Sequence, residues 1–146
     1  MKYVGSKEEN IKYRKRPGAY AIIVNKDDDK VGIVTDGEDY FYLGGGIENG
    51  ETKLEALKRE MIEEAGYSIK NIREFEEVGS HIFAEDKGYL EVIANVYIAE
   101  FDKKIAEPIE KDHKVLWVRP EEYVSKMFRE WQRFIMERFI ERRKNI

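Results

Sequence analysis

The alternation of apolar and polar positions predicts strands before anything else. Ala19 to Val24 (AYAIIV) and Val31 to Thr35 (VGIVT) are apolar runs of strand length. The polar stretch between them, Asn25 to Lys30 (NKDDDK), reads as a hairpin loop. Tyr40 to Leu43 is a short apolar run ending at Gly44-Gly45-Gly46, a strand that enters a glycine turn. Later, Ile72 to Phe83 with interruptions, Leu90 to Ala99 and Val115 to Val118 are again strand-like.

Helical spacing is clearest from Thr52 to Ala65. Leu54, Leu57, Met61 and Ala65 recur at helical intervals, and Thr52 with Glu55 forms a T-x-x-E capping box. Gly66 supplies the stop. Pro120, Glu121 and Glu122 open a short helix, and Phe128, Trp131, Ile135 and Phe139 mark a last amphipathic one. There is no internal repeat, low-complexity tract or flexible linker. Strands on both sides of a central helix, with a helix at the end, predict an α/β fold: a mixed sheet covered by helices on both faces.

Composition narrows the chemistry. At 146 residues the chain fits one domain, 1–146, with a real core. With no cysteine, disulfides and thiolate metal sites are excluded, so any metal sits on oxygen or on the two histidines. No apolar run approaches the roughly 18 residues of a membrane span. Met1 to Arg16 is polar, unlike a secretory signal, so a cytoplasmic protein is expected. The net charge of −4 argues against a nucleic-acid polymer as main partner. It is no obstacle to a small phosphorylated substrate accompanied by metal.

The chemistry sits in Gly45 to Tyr67, GGIENGETKLEALKREMIEEAGY. Glu60, Glu63 and Glu64 lie within an arc of roughly 100° on the predicted helix. Carboxylates so placed repel one another and cost helix stability. Clustered oxygens suit Mg²⁺ or Mn²⁺, which prefer carboxylate, carbonyl and water. Three consecutive glycines upstream let backbone approach a ligand closely. Among 22 glutamates, three on one helix face are by themselves no more than a solvated surface.

The spacing of the whole segment changes that. It resembles the Nudix box, G-x5-E-x7-R-E-U-x-E-E-x-G-U with U apolar, through Gly45, Glu51, Arg59, Glu60, Met61, Glu63, Glu64, Gly66 and Tyr67. A chance match to all the fixed letters is on the order of 10⁻⁵ for a chain of this composition. Two positions depart from the family's habit: Leu43 where proline is frequent before the glycines, and Tyr67 where an aliphatic residue usually closes the box. The resemblance implies an α/β/α sandwich with the box as its loop–helix–loop.

It also implies roles. Glu63 and Glu64 would ligate Mg²⁺ or Mn²⁺, with the carbonyl oxygen of Gly45. Glu60 would be a metal ligand or the general base. Arg59 would hold the glutamates in place and Glu51 would pair with Arg59; Gly66 is a structural part of the motif. Glu48 follows the glycines and could face the site. Many Nudix enzymes add an acidic residue from a later loop; here Glu107, Glu110 and Asp112 precede the strand at Val115, and Glu110 is the expected one.

Other chemistry-bearing residues receive plainer readings. His113 is lone and reads as a surface histidine, and His81 as a half-buried structural one. The C-terminal Arg129, Arg133, Arg138, Arg142, Arg143 and Lys144 alternate with apolar residues and read as the polar face of a packing helix. Tyr40, Phe41 and Tyr42 read as strand core. The expected function is metal-dependent cleavage of a phosphoanhydride bond in a nucleoside diphosphate-linked substrate, foremost a nucleoside triphosphate in nucleotide-pool clean-up. A non-turnover nucleotide sensor, or a hydrolase of ADP-ribose or diadenosine polyphosphates, is the alternative. ADP-ribose relatives usually carry a proline about fifteen residues beyond the box, where this chain has Ser80, His81, Ile82 and Phe83. The expected partner is a small nucleotide, with no membrane; a homodimer is compatible with the reading.

Overall fold

The computed structural model describes residues 1–144. Its centre is β2 (Arg14–Val24), which is flanked on one side by the parallel β7 (Gly88–Lys104) and on the other by the antiparallel β3 (Val31–Thr35). Beyond β7 lies β6 (Tyr67–Ala84), antiparallel to it, and then β1 (Lys2–Val4), parallel to β6. Beyond β3 lie β4 (Tyr40–Phe41) and β8 (Lys114–Val118), both antiparallel to it. A short β5 (Leu43–Gly46) pairs antiparallel with β2. The sheet is therefore mixed.

Side-chain alternation divides the core in two. On β2, Ala19, Ala21 and Ile23 join Leu43, Ala56, Leu57 and Met61 beneath α1 (Lys53–Ala65). Tyr20, Ile22 and Val24 point the other way, to Trp131, Ile135, Met136 and Phe139 of α3 (Glu130–Arg143). A strand buried on both faces reads as a continuous apolar run rather than an alternating one, which is why AYAIIV stands out in the sequence. The short α2 (Pro120–Tyr123) and a 3-10 turn connect β8 to α3. The result is a sheet between two helical layers, an α/β/α sandwich.

Four expectations change. The strand at residues 72–83 runs from Tyr67 to Ala84, its interruptions being register shifts between Lys70 and Arg73 and between Glu74 and Glu76. The glycine run is strand, not turn: Gly44, Gly45 and Gly46 pair with Tyr20, Ala19 and Gly18. A Cβ on Gly44 would sit 2.3 Å from the Ala19 carbonyl oxygen, so β5 lies against β2 only because that side chain is missing. Leu54 is exposed, and Ala56 takes its place under α1. Finally, β1 escapes a reading based on apolar runs, since Lys2 and Tyr3 are exposed and only Val4 is buried.

Candidate active site

Helix α1 is held firmly at both ends. Thr52 accepts from the Glu55 amide at 3.1 Å, while the Glu55 carboxylate accepts from the Thr52 amide at 2.9 Å. At the C-terminus, Gly66 has a φ of 76° and donates to Ile62 O at 2.9 Å. The carbonyls that the last turn leaves free are taken up by the segment entering β8. Ile105 N–H donates to Gly66 O at 2.7 Å, and Ile109 and Glu110 N–H donate to Glu63 O at 2.8 and 3.1 Å. Gly66 thus has a second task beside its left-handed conformation: a Cβ there would sit 2.1 Å from the Ala106 carbonyl oxygen.

Arg59 organises the carboxylates. It grips Glu51 with Nε and Nη2, at 2.7 and 3.0 Å, and donates from Nη2 to Gly46 O at 3.1 Å. Its Nη1 donates to Glu60 at 2.9 Å and to Glu63 at 3.0 Å. The paired guanidinium holds Glu51 below the usual carboxylate range, and Glu51 in turn raises the already high pKa of Arg59. Exposed Glu48 stands at the edge, 3.8 Å from Arg59.

Glu64 is set apart from the others. It is 6% exposed and no arginine touches it. Oε1 accepts the Gly44 amide at 2.6 Å. Burial pushes its pKa up to about 8, and the charges of Glu60, Glu110 and Glu63 push the same way. Burial also raises Glu60, against the pull of Arg59. A buried carboxylate in this position calls for a cation to neutralise it.

Glu64, Gly44 and Gly45 form the floor of a cleft of about 290 Å³ between the box and the start of α3. Arg16, Lys87 and Arg129 bring positive charge to its walls; Phe41, Phe128, Trp131 and His113 bring rings. Phe41 and Phe128 pack edge to face at 5.3 Å, and Phe128 is 40% exposed. A larger hollow of about 440 Å³ near the β2–β3 hairpin has no box residue in its wall. Chemistry, not volume, therefore selects the smaller cleft.

Among the described residues no three carboxylates or imidazoles converge as a ready metal cage. Glu60 and Glu63 are paired with Arg59 instead. The donors nevertheless fit a hard divalent cation in kind. Glu64 is buried with no arginine or lysine partner, and a Cβ on Gly45 would lie 2.8 Å from Glu60 Oε1, so a side chain there would push the Glu60 carboxylate aside. Gly45 and Glu64 line the cleft, whereas Glu60 and Glu63 lie beside it on Arg59; the charge of Glu110 raises both Glu60 and Glu64.

Several residues fall outside their sequence reading. His113 is no free surface residue: its Nδ1 lies 3.6 Å from Glu64 Oε2. Phe41 and Arg129 line the cleft; so does Tyr42, which is otherwise buried in the core and donates to Gln132 O at 2.7 Å. His81 packs between Tyr3 and Tyr13 and is absent from the cleft wall. Glu107 pairs with Lys104 at 2.9 Å. The helix arginines make structural bonds, Arg133 to Met127 O at 2.7 Å and Arg142 to Phe75 O at 3.1 Å. Arg16 and Lys87 carried no signal of their own, because Arg16 ends a polar stretch ahead of the apolar run of β2 and Lys87 sits in the short polar turn between β6 and β7.

Comparison with known proteins gives this arrangement its family. The NUDIX domain model matches residues 14–139. The chain belongs to the Nudix family. It is a Nudix hydrolase, acting on the pyrophosphate bond of nucleoside diphosphate-linked substrates. A MutT structure from work on Aliivibrio salmonicida and Vibrio cholerae superposes with a TM-score of 0.66 at 19% identity, covering 88% of this chain and 99% of that one. MutT of Bacillus halodurans gives 0.62 at 25% identity, over 84% and 80%. A NUDIX hydrolase from Nitrosomonas europaea gives 0.65 at 18%, over 86% and 88%. A search of curated proteins returns no match. Among the described residues no helix is long and apolar enough to cross a membrane.

Proposed function

We propose that residues 1–146 are one Nudix domain that hydrolyses a nucleoside triphosphate in the cytoplasm, depends on Mg²⁺ or Mn²⁺, and serves nucleotide clean-up. One observation carries this reading: the buried carboxylate of Glu64 lies at the floor of a cleft whose walls carry Arg16, Lys87 and Arg129. Such a pairing of an anionic floor with cationic walls suits a polyphosphate that arrives with a divalent cation.

Glu63, Glu64 and the Gly45 carbonyl would hold the cation, with Glu60 as a further ligand. When bound, the cation neutralises the pyrophosphate oxygens and polarises the phosphorus for attack. This chain's residues do the rest. Arg16, Lys87 and Arg129 bind and orient the phosphate chain, and Phe41 and Phe128 offer faces to the base. A water oxygen attacks phosphorus while the bridging P–O bond breaks, and the bridging oxygen leaves with the released phosphate group. The water's proton passes to a carboxylate, for which Glu110 is the proposed base. Arg59 holds Glu60 and Glu63 toward the site.

The test is release of phosphate or pyrophosphate from a panel of nucleoside triphosphates, ADP-ribose and diadenosine polyphosphates. Turnover of triphosphates with Mg²⁺ or Mn²⁺, abolished by chelator, is the expected result. Full activity in excess chelator sinks the metal dependence. Tight binding without product across the panel replaces the enzyme with a sensor.

A further inference from the structure

In the cleft, His113 Nδ1 and Glu64 Oε2 face each other across a gap that neither fills. His113 Nδ1 is buried and has no hydrogen-bond partner. It stands 3.6 Å from Glu64 Oε2, too far for a hydrogen bond, which for nitrogen and oxygen centres on about 2.9–3.0 Å. The other oxygen of Glu64 is already bound by the Gly44 amide at 2.6 Å. A proton shared by the pair would draw the atoms closer. A cation is what a nitrogen lone pair and a carboxylate oxygen can both bind at such a separation.

The imidazole is placed by the fold. Its backbone N–H donates to Glu110 O at 3.3 Å, and the next residue, Lys114, begins β8 in register with Thr35. The ring lies over Phe41, with centroids 6.2 Å apart and planes at 27°. The same loop is pinned to the end of α1 through Glu63 O. The distance between His113 and Glu64 is therefore set by two backbone anchors and one ring contact.

We propose that His113 Nδ1 is a further donor, beside Glu64, to the divalent cation of this cleft, and that it shifts metal preference from Mg²⁺ toward Mn²⁺, Co²⁺ and Zn²⁺. The inference rests on the proposed function only in taking the cleft to bind a divalent cation. Imidazole nitrogen is a softer donor than carboxylate or water, so it adds little for Mg²⁺ and more for the transition metals. Nδ1 must be the bare nitrogen, with the ring proton on Nε2.

The test needs no substrate. Parent protein loaded with Mn²⁺ alone is examined by electron spin-echo spectroscopy for coupling to ¹⁴N, and Mn²⁺, Co²⁺ and Mg²⁺ affinities are measured by calorimetry. Directly coordinated imidazole nitrogen is expected in the parent and lost in His113→Ala. That variant and His113→Gln should bind Mn²⁺ and Co²⁺ roughly 10- to 100-fold more weakly, a loss like that of other metal-supporting side chains, with Mg²⁺ affinity changed less than about threefold. Absence of nitrogen coupling in the parent overturns the proposal, whatever the variants do. If Glu64→Gln still weakens Mn²⁺ binding in that case, the metal reading stands without His113. If the parent binds no divalent metal at all, both readings fall.

Discussion

The two helices that flank the sheet are made for different tasks. Helix α3 buries Trp131, Ile135, Met136 and Phe139 against the sheet. Its arginines reach outward to carbonyl oxygens at Met127, Phe75 and Asp29. Helix α1 buries smaller side chains, Ala56, Leu57, Met61 and Ala65, and adds a carboxylate, Glu64. Three glutamates on one face repel each other, and one has lost its water. The caps and the Arg59 pairs offset part of that cost. One layer supplies stability; the other gives some up to bring negative charge to a cleft.

The largest expected effect tests the stable layer. Trp131 is 3% exposed and packs on Tyr20 and Tyr42. Trp131→Ala should cost about 3–5 kcal/mol, as aromatic truncations in cores do. Denaturant unfolding measures it. A loss below about 1 kcal/mol would mean that α3 is not the main support of the sheet.

Much of this division was legible in the sequence. Trp131, Ile135 and Phe139 recur at helical spacing, and the box letters Gly45 to Gly66 carry the acidic helix with its caps. The α/β layering follows from those two helices and the apolar runs between them. What escaped depends on contacts between distant segments. Arg16 shares a face with Tyr20 only because β2 begins at Arg14, inside a run of charge. His113 meets Glu64 through the pairing of β8 with β3 and the anchoring of the loop on α1, neither of which leaves a local pattern. Gly66 is visible as a helix stop, whereas its contact with the Ala106 carbonyl is not.

Gly66→Ala sharpens the comparison at the joint between α1 and the loop of Glu110. The left-handed conformation alone costs a non-glycine residue roughly 1–2 kcal/mol. The new Cβ would also strike Ala106 O, 2.1 Å away, so the loop must shift. Thermal unfolding should show a loss of about 2 kcal/mol, and turnover should fall with it. A destabilised variant with parental turnover would separate the loop from the chemistry.

Glu64→Gln tests whether burial of charge in α1 is a burden carried for function. Glutamine keeps an acceptor for the Gly44 amide. With chelator present, the folded pKa of about 8 lies above the ordinary value of 4.5. The folded state then binds the proton more tightly, so this contribution is complete below pH 4.5 and is lost as pH rises through 8. The melting temperature of the parent should therefore fall relative to the variant between about pH 4.5 and pH 8, and the difference should level off above that. Turnover with metal should drop at least a hundredfold, in the range of roughly 10²–10⁴ seen when a reacting group is lost. A pH-independent difference in melting temperature would return Glu64 to an ordinary, unshifted carboxylate.

Glu110→Gln should leave the smallest mark on stability and still change the rate. Its carboxylate is exposed, while its backbone amide, which the substitution retains, is bound to Glu63 O at 3.1 Å. Such a surface change falls within about ±0.5 kcal/mol. As a base for the attacking water, the same carboxylate is worth roughly 10²–10⁴ in rate. Glu107 is the weaker rival because Lys104 holds it at 2.9 Å. Asp112, in the same loop, is the control: Asp112→Asn should turn over as the parent does. If Glu110→Gln keeps the parental rate at saturating metal while Asp112→Asn loses it, the base is Asp112. If neither changes, the proton goes to Glu60, and the helix proposed to bear the metal ligands also carries the base.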